Sequence, residues 1–529
     1  MPLTFLSRCL AWLLLSLGCA APALGLTPQQ ARALATGEAE SRIAVLNQVL
    51  TGADEKTVAL IQALSDDAVK FTETAVFVMR DGKGYDPVSG GELPVPDTAE
   101  DVINNNQMRG ELDTALASIK LFSSDAKVRA EAAKTLKGEP DEAKLPLIEK
   151  AIDAETVPAI RSALEQIRFA MLLGSADKAK RLQAATALGA SGTPATKTLL
   201  LERQSLEPEP DVRAALAVSL RAIEGRLAWG ERLGVIFTGV SLGSILLLVA
   251  LGLAITYGLM GVINMAHGEL MMIGAYATYV VQNLFRTYAP GAFEAYVLVA
   301  IPVSFMAAAL VGAGLERSVI RWLYGRPLET LLATWGISLM LQQAARSIFG
   351  AQNVPVENPT WLSGGVDVMS NLTLPFNRVA IVVFALLVLL AVAALIARTR
   401  LGLFVRGVTQ NRRMAACLGI NTARIDTYAF ALGSGIAGLA GCALSQVGNV
   451  GPDLGQSYIV DAFMVVVLGG VGQLAGTVYA ALGLGVLNKL LEGWQGAVLA
   501  KIMVLVFIVI FIQKRPQGIF ALKGRSAEA

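Results

Sequence analysis

Beyond residue 228 the chain is a succession of long apolar runs with short polar breaks. Runs that approach the ~20 residues needed to cross a bilayer fall at about 233–256, 262–285, 295–314, 328–349, 378–397, 428–447, 458–473, 475–491 and 496–513. The seventh and eighth are short, and Gly469, Gly470, Gly472 and Gly476 interrupt the pair. Broken or re-entrant helices are expected there, since irregular backbone is tolerated at membrane depth only where protein covers it. The fold class expected is mainly α, a polytopic membrane domain of about 8–9 transmembrane helices.

Residues 26–228 follow another pattern. Apolar positions recur with helical spacing in short runs, each opened by a capping signal. Asp125 and Asp211 stand where an N-cap carboxylate accepts from exposed backbone N–H groups, Pro158 opens a third helical unit, and Asp177 to Leu188 is a fourth. Val-Arg or Ile-Arg pairs fall at 128–129, 160–161 and 212–213, with a related unit at 180–181. The pattern resembles HEAT-type helical repeats, which stack because one helix pair cannot bury its own face. A non-repetitive helical domain is the alternative. Phe71 to Val78 alternates as a strand does, Asp81 to Gly84 signals a turn, and Pro87 to Pro96 is turn-rich, so a small β-hairpin is expected before a helix near Glu100. Asn104 to Asn106 reads as a turn or cap cluster.

Composition divides the chain at the same place. It is 54% hydrophobic and 16% charged overall. Residues 26–228 carry 24 Lys and Arg against 30 Asp and Glu, whereas residues 229–529 carry 19 against 12. Water suits the first part and lipid the second. Residues 1–25 read as a signal peptide, with Arg8 at the positive start, an apolar run from Leu10 to Leu17 and cleavage after Gly25. A lipid-modified Cys19 and an uncleaved anchor are the alternatives. Three parts follow: a signal peptide at 1–25, an exported helical-repeat domain at 26–228 and a membrane domain at 229–529. The exported part holds no cysteine and must fold without disulfides.

Lys and Arg favour cytoplasmic loops. Arg317, Arg321 and Arg326 follow the third run, six arginines from Arg398 to Arg424 follow the fifth, and Lys514, Arg515, Lys523 and Arg525 follow the ninth. Loops 350–377 and 448–457 carry acids and no base. Every basic loop follows an odd run, so the first span enters from outside, in accord with an exported N-terminal domain.

Two motifs carry candidate chemistry. Between Gly261 and Leu270 lie Asn264, His267 and Glu269, including the only histidine of the chain. Ionisable groups at membrane depth are costly and usually face a cavity or a partner. These residues either line a pathway or bond one another, or cap a helix, to brace a turn near the cytoplasmic end of the second span. The second motif is the basic loop 402–421, with Arg406, Gln410, Asn411, Arg412, Arg413 and Met414, a break at Gly419 and an apolar face of Val408, Met414, Ala415 and Leu418. It is either a membrane-surface helix or a helix that docks on a cytoplasmic partner.

These motifs, with Ala437 to Gly441, Met464 to Gly472 and the tail from Lys514 to Ala521, closely resemble the permeases of branched-chain amino acid ABC importers over nearly all of 233–525. The exported extension and the Gln513 to Gly518 ending resemble the urea-specific branch of that family. The resemblance implies one half of a heterodimeric channel in the bacterial inner membrane, with a second homologous permease, two cytoplasmic ATP-binding subunits and a periplasmic solute-binding protein as partners. It implies urea as substrate, with branched-chain amino acids or other short amides as the alternative. The 402–421 loop would then be the coupling helix for the ATPases. Transport would proceed by alternating access driven by those subunits.

Urea needs amides, hydroxyls and carbonyls rather than a charged clamp. Asn264, His267, Glu269, Ser241, Ser244, Thr256, Gln446 and Asn449 are the pathway candidates. No catalytic residue, cofactor, metal or nucleic-acid partner is expected. The chain contains no Gly-Lys-Ser or Gly-Lys-Thr and so no phosphate loop of its own. An intramembrane enzyme built on His267 and Glu269 lacks a nucleophile motif, and a sensor lacks an output domain. A proton-coupled carrier would bury ionisable groups mid-span, whereas Asp461 and Lys501 fall near span ends.

Overall fold

A computed structural model describes residues 26–50, 54–80, 82–137, 144–261 and 263–520. The signal-peptide reading of 1–25, Asp81 of the turn, and Ala521, Lys523 and Arg525 of the tail lie outside the described residues. The chain forms two units, one up to Arg226 and one from Leu227.

In the first unit, α1 (Pro28–Ala35), α2 (Ala39–Leu50) and α3 (Glu55–Ser65) precede a sheet of β1 (Val69–Phe71), β2 (Val76–Arg80), β3 (Lys83–Tyr85), β4 (Glu92–Leu93) and β5 (Glu100–Asp101). The strands are antiparallel in the order β4-β3-β2-β1-β5. The expected hairpin is present as β2–β3 and is extended by three further strands. Phe71 to Val78 is not one strand, because Thr72 and Ala75 close a turn inside it (backbone N to O, 2.8 Å). An isolated hairpin is marginal in water; here Val69, Val76 and Val78 bury against Leu34, Leu60 and Leu64 of the helices. Asn105 caps α4 (Asn106–Lys120) by accepting from the Met108 N–H at 2.8 Å.

The helical repeat is real, and its period is 52 residues. Helix α5 (Ala126–Leu136) is followed by α6 (Leu145–Ala154) and α7 (Pro158–Leu172); α8 (Lys178–Leu188) is followed by α9 (Pro194–Leu206) and the start of α10 (Pro210–Met260). Asp125 and Asp177 each cap their helix by accepting a backbone N–H at 2.8 Å. Asp211 does not cap, because α10 already begins at Pro210; its carboxylate accepts from Lys178 instead. Arg129 forks onto Glu155 (2.8 and 2.9 Å) and donates to the Ser123 and Ser124 carbonyls. Arg181 repeats this on Glu207 (3.1 and 2.9 Å) and on the Ser175 and Ala176 carbonyls. Bidentate geometry of this kind is the strong form of an ion pair. The Arg129 guanidinium holds the Glu155 carboxyl down at about 2. Each repeat is therefore three helices stapled by an arginine at the first and a glutamate ahead of the third. One repeat contains two Val/Ile-Arg positions, which is why pairs at 128 and 160 imitate a shorter period.

In the second unit α10 runs on, followed by α11 (His267–Tyr288), α12 (Tyr296–Ser318), α13 (Pro327–Phe349), the hairpin β6 (Gly365–Met369) and β7 (Leu372–Pro375), α14 (Phe376–Arg398), α15 (Arg400–Gln410), α16 (Arg412–Cys417), α17 (Thr422–Ser445), α18 (Leu454–Gly469), α19 (Leu474–Gln495) and α20 (Ala497–Lys514). Among the described residues, six helices are long and apolar enough to cross a membrane: α10, α12, α14, α17, α19 and α20. Helices α11 and α13, with 22 and 23 residues, have the length, but polar faces lower their hydropathy. The molecule is a polytopic α-helical membrane protein. Of the two interrupted runs, α19 is a full 22 residues and only α18, with 16, is short.

Helix α17 is the hub of this unit. A side chain on Gly274 of α11 would overlap the Gly438 backbone, and one on Gly438 would overlap Ser304 and Ala308 of α12. Small residues let three helix backbones meet, which is how helices associate where lipid removes the hydrophobic drive between them.

Candidate functional site

Helix α10 ends at Met260, and Gly261 takes a positive φ of 65° that only glycine adopts freely. The chain then runs non-helically and starts again at His267. Thr334 of α13 holds this segment, accepting from the Met265 N–H at 3.2 Å, with the Ile263 carbonyl 3.4 Å from its hydroxyl. The Asn264 side chain accepts from the Ala266 N–H at 3.1 Å. No side chain caps the α11 N-terminus; backbone carbonyls serve its first turn instead, Asn264 accepting from the His267 N–H at 3.3 Å and Ala266 from the Glu269 N–H at 3.1 Å.

Glu269, in the first turn, accepts on Oε1 from Ser338 and from Gln342, each at 2.9 Å. Ser338 is the central residue of α13. At 1.5 Å per residue it lies roughly 17 Å from either end of that helix. Glu269 therefore sits deep in the bundle, not at the cytoplasmic end of a span. Within the apolar run 262–285 the helix begins only at His267, after a turn at Met265 and Ala266. His267 and Glu269 do not bond each other. His267 places Nε2 3.1 Å from the Val249 carbonyl of α10, so that nitrogen donates and Nδ1 is left as an acceptor. Neither residue makes a cap. The imidazole braces α10 against α11, and the carboxylate belongs to α13.

Among the described residues, Asn264 Nδ2, His267 Nδ1, Glu269 Oε2 and Tyr276 Oη are buried without a hydrogen-bond partner. Buried polar atoms in this state are costly unless a ligand or water serves them. Tyr276 lies two turns beyond Glu269 on the same face of α11 and stacks on Phe349 at 4.3 Å. The segment ahead of α11, Glu269 and Tyr276 thus meet α13 at Thr334, Ser338, Gln342 and Phe349, and leave an amide nitrogen, a carboxylate oxygen and a phenol buried without partners.

The remaining pathway candidates are elsewhere. Ser244 donates to the Val240 carbonyl of its own helix, and Ser241 is buried with a free hydroxyl several turns away along α10. Gln446 pairs with Tyr296 at 3.3 Å and lines a separate apolar cavity of about 160 Å³ with Trp361, Phe384 and Cys442. The sequence reading missed Thr334, Ser338, Gln342 and Tyr276. The signal was present: Thr330, Thr334, Ser338 and Gln342 recur every fourth residue, one stripe of a helix.

The basic loop is ordered as α15 and α16, broken at Asn411, whose side chain caps α16 through the Met414 N–H at 2.9 Å. Val408 and Ala415 are buried as expected, but Met414 and Leu418 face outward, 57% and 76% exposed. Arg406, Gln410 and Arg413 are exposed, and Gly419 has φ 79°. Arg412, 42% exposed, reaches from the surface onto the buried Asp426 of α17 and lies over the Tyr324 ring at 5.1 Å.

A polytopic bundle with a helix interrupted at depth, unpartnered polar atoms buried inside it and an ordered pair of basic helices has the features of a membrane transport protein. The comparisons agree. Residues 235–512 match the family described as branched-chain amino acid transport system, permease component, and the chain belongs to that family. It is 29% identical over 292 residues to the high-affinity branched-chain amino acid permease LivH of Salmonella typhimurium, covering 54% of this chain and 93% of that protein. It is 29% identical over 287 residues to BraD of Pseudomonas aeruginosa, covering 53% and 93%. No solved structure matches.

Proposed function

We propose that the chain is one membrane-spanning half of an ATP-driven importer and that its substrate is a branched-chain amino acid or a similarly small amino acid. The observation that carries this reading is the unpartnered second oxygen of Glu269, deep in the bundle. A carboxylate there is the natural partner for a substrate ammonium. The expectation of urea rested on the exported extension, the Gln513 to Gly518 ending and the lack of a mid-span charge, and Glu269 removes the last of these premises. The amino acid relatives add weight.

A second reading keeps urea. The same oxygen accepts from an amide N–H, Asn264 Nδ2 donates to a carbonyl, and the family match leaves the first unit outside it. In either case a homologous permease, two ATP-binding subunits and a solute-binding protein complete the machine. Residues 26–228 face the binding protein across the outer surface of an inner membrane. The exposed surface of α15 and α16, with Arg406, Gln410, Arg413, Met414 and Leu418, receives the ATPases. Proteoliposomes of the full complex, given binding protein on the face of residues 26–228 and ATP on the other, are expected to accumulate labelled leucine. Accumulation of urea without leucine would establish the second reading, and accumulation of neither would remove both.

A further inference from the structure

Beneath α16 four charged side chains form a closed cluster. Asp426 of α17 is buried and takes Arg412 of α16. One turn from it, Glu316 of α12, also buried, accepts from Thr427 of α17 at 2.6 Å and pairs with Arg321 at 3.4 Å. The Tyr324 hydroxyl lies 3.2 Å from Glu316 and 2.9 Å from the Met260 sulfur, and the Tyr324 ring lies under Arg412. The two acids are buried while Arg412 and Arg321, 42% and 36% exposed, pair with them from the surface, so loss of either arginine leaves a buried carboxylate without its partner. The cluster joins α12, α16, α17 and the last residue of α10, beyond which the chain turns at Gly261 into the candidate site.

We infer that Arg412, Asp426, Tyr324 and Glu316 are the joint through which movement of α15 and α16 is delivered to the substrate site. This inference rests on the importer reading above. A helix held only by apolar contact can slide, whereas Arg412 is pinned to a buried carboxylate and to a ring at once. Displacing α16 therefore carries α17 with it. Helix α17 meets α11 backbone to backbone at Gly438 and Gly274, and the first turn of α11 holds Glu269. On the other arm, Tyr324 touches Met260, five residues before Met265 is held by Thr334. Arg412 thus acts as a positioning residue, separate from the outward surface of Arg413, Met414 and Leu418.

The test uses the full complex in vesicles and measures ATP hydrolysis and substrate uptake together. Arg412→Ala leaves a buried carboxylate alone and is prone to misfold, so the informative variant is Arg412→Ala with Asp426→Asn, which removes the pair. The expected result is normal co-purification of the ATPases, hydrolysis within about twofold of wild type and uptake per ATP reduced at least tenfold. Tyr324→Phe should give a smaller loss of the same kind, and Arg412→Lys a partial recovery. Wild-type uptake per ATP in the double variant would overturn the joint, as would loss of ATPase co-purification, which would place Arg412 in the dock itself. Absence of ATP-driven uptake by the wild-type complex would instead count against the importer reading.

Discussion

Glu269→Gln is expected to abolish amino acid uptake while leaving the permease folded. Glutamine keeps the size of the side chain and an oxygen for Ser338, so α11 and α13 stay joined. It removes the acid whose second oxygen, alone among the carboxylates of the described residues, is buried without a partner. Losing one partner of a desolvated charge pair costs about 2–5 kcal/mol, which puts the drop in uptake at roughly thirtyfold or more. The variant also separates the two substrate readings. A neutral amide needs an acceptor rather than a charge, so a urea permease should lose only about 0.5–1.5 kcal/mol of interaction, about tenfold at most. Initial rates of labelled uptake at matched protein levels check the outcome.

Gly438→Leu is expected to prevent assembly of the second unit. Its missing side chain is what allows α17 to lie on Ser304 and Ala308 of α12 and on Gly274 of α11. Four carbons there have no empty space and meet backbone, which cannot rotate aside. Overpacking costs about 1–3 kcal/mol even where side chains can shift, and here three helices would have to separate. A fall of at least about 5 °C in the thermal midpoint, or loss of the monodisperse species in detergent, is the expected reading. Gly314→Leu, on α12 with open space around it, should leave both unchanged.

The helices of the membrane half are legible in the sequence because lipid admits no other way to satisfy the backbone. Their boundaries near the site are not. Nothing in the run 262–285 distinguishes Ile263 to Ala266, which are non-helical, from the helical residues that follow, since Thr334 holds them from 69 and 71 residues away. That displacement moved His267 and Glu269 from a span end to the interior and separated their partners. Small hydroxyls hid the α13 stripe, because Thr and Ser scattered in an apolar run look like tolerated guests until their spacing of four is counted. Arg412 reads as one more coupling residue of the basic loop because Asp426, the acid that claims it, lies 14 residues on. In the first unit the caps were legible one by one, but the repeat period was not. It is fixed by Glu155 and Glu207, which sit 26 residues beyond their arginines.

The central claim is that the break between α10 and α11 holds the substrate. The most direct measurement is the structure of the assembled importer trapped with substrate bound. Density for the substrate is expected with a nitrogen within about 3.2 Å of Glu269 Oε2. Density in the cavity beside Gln446 and Cys442, with the 261–269 segment unchanged and empty, would contradict it.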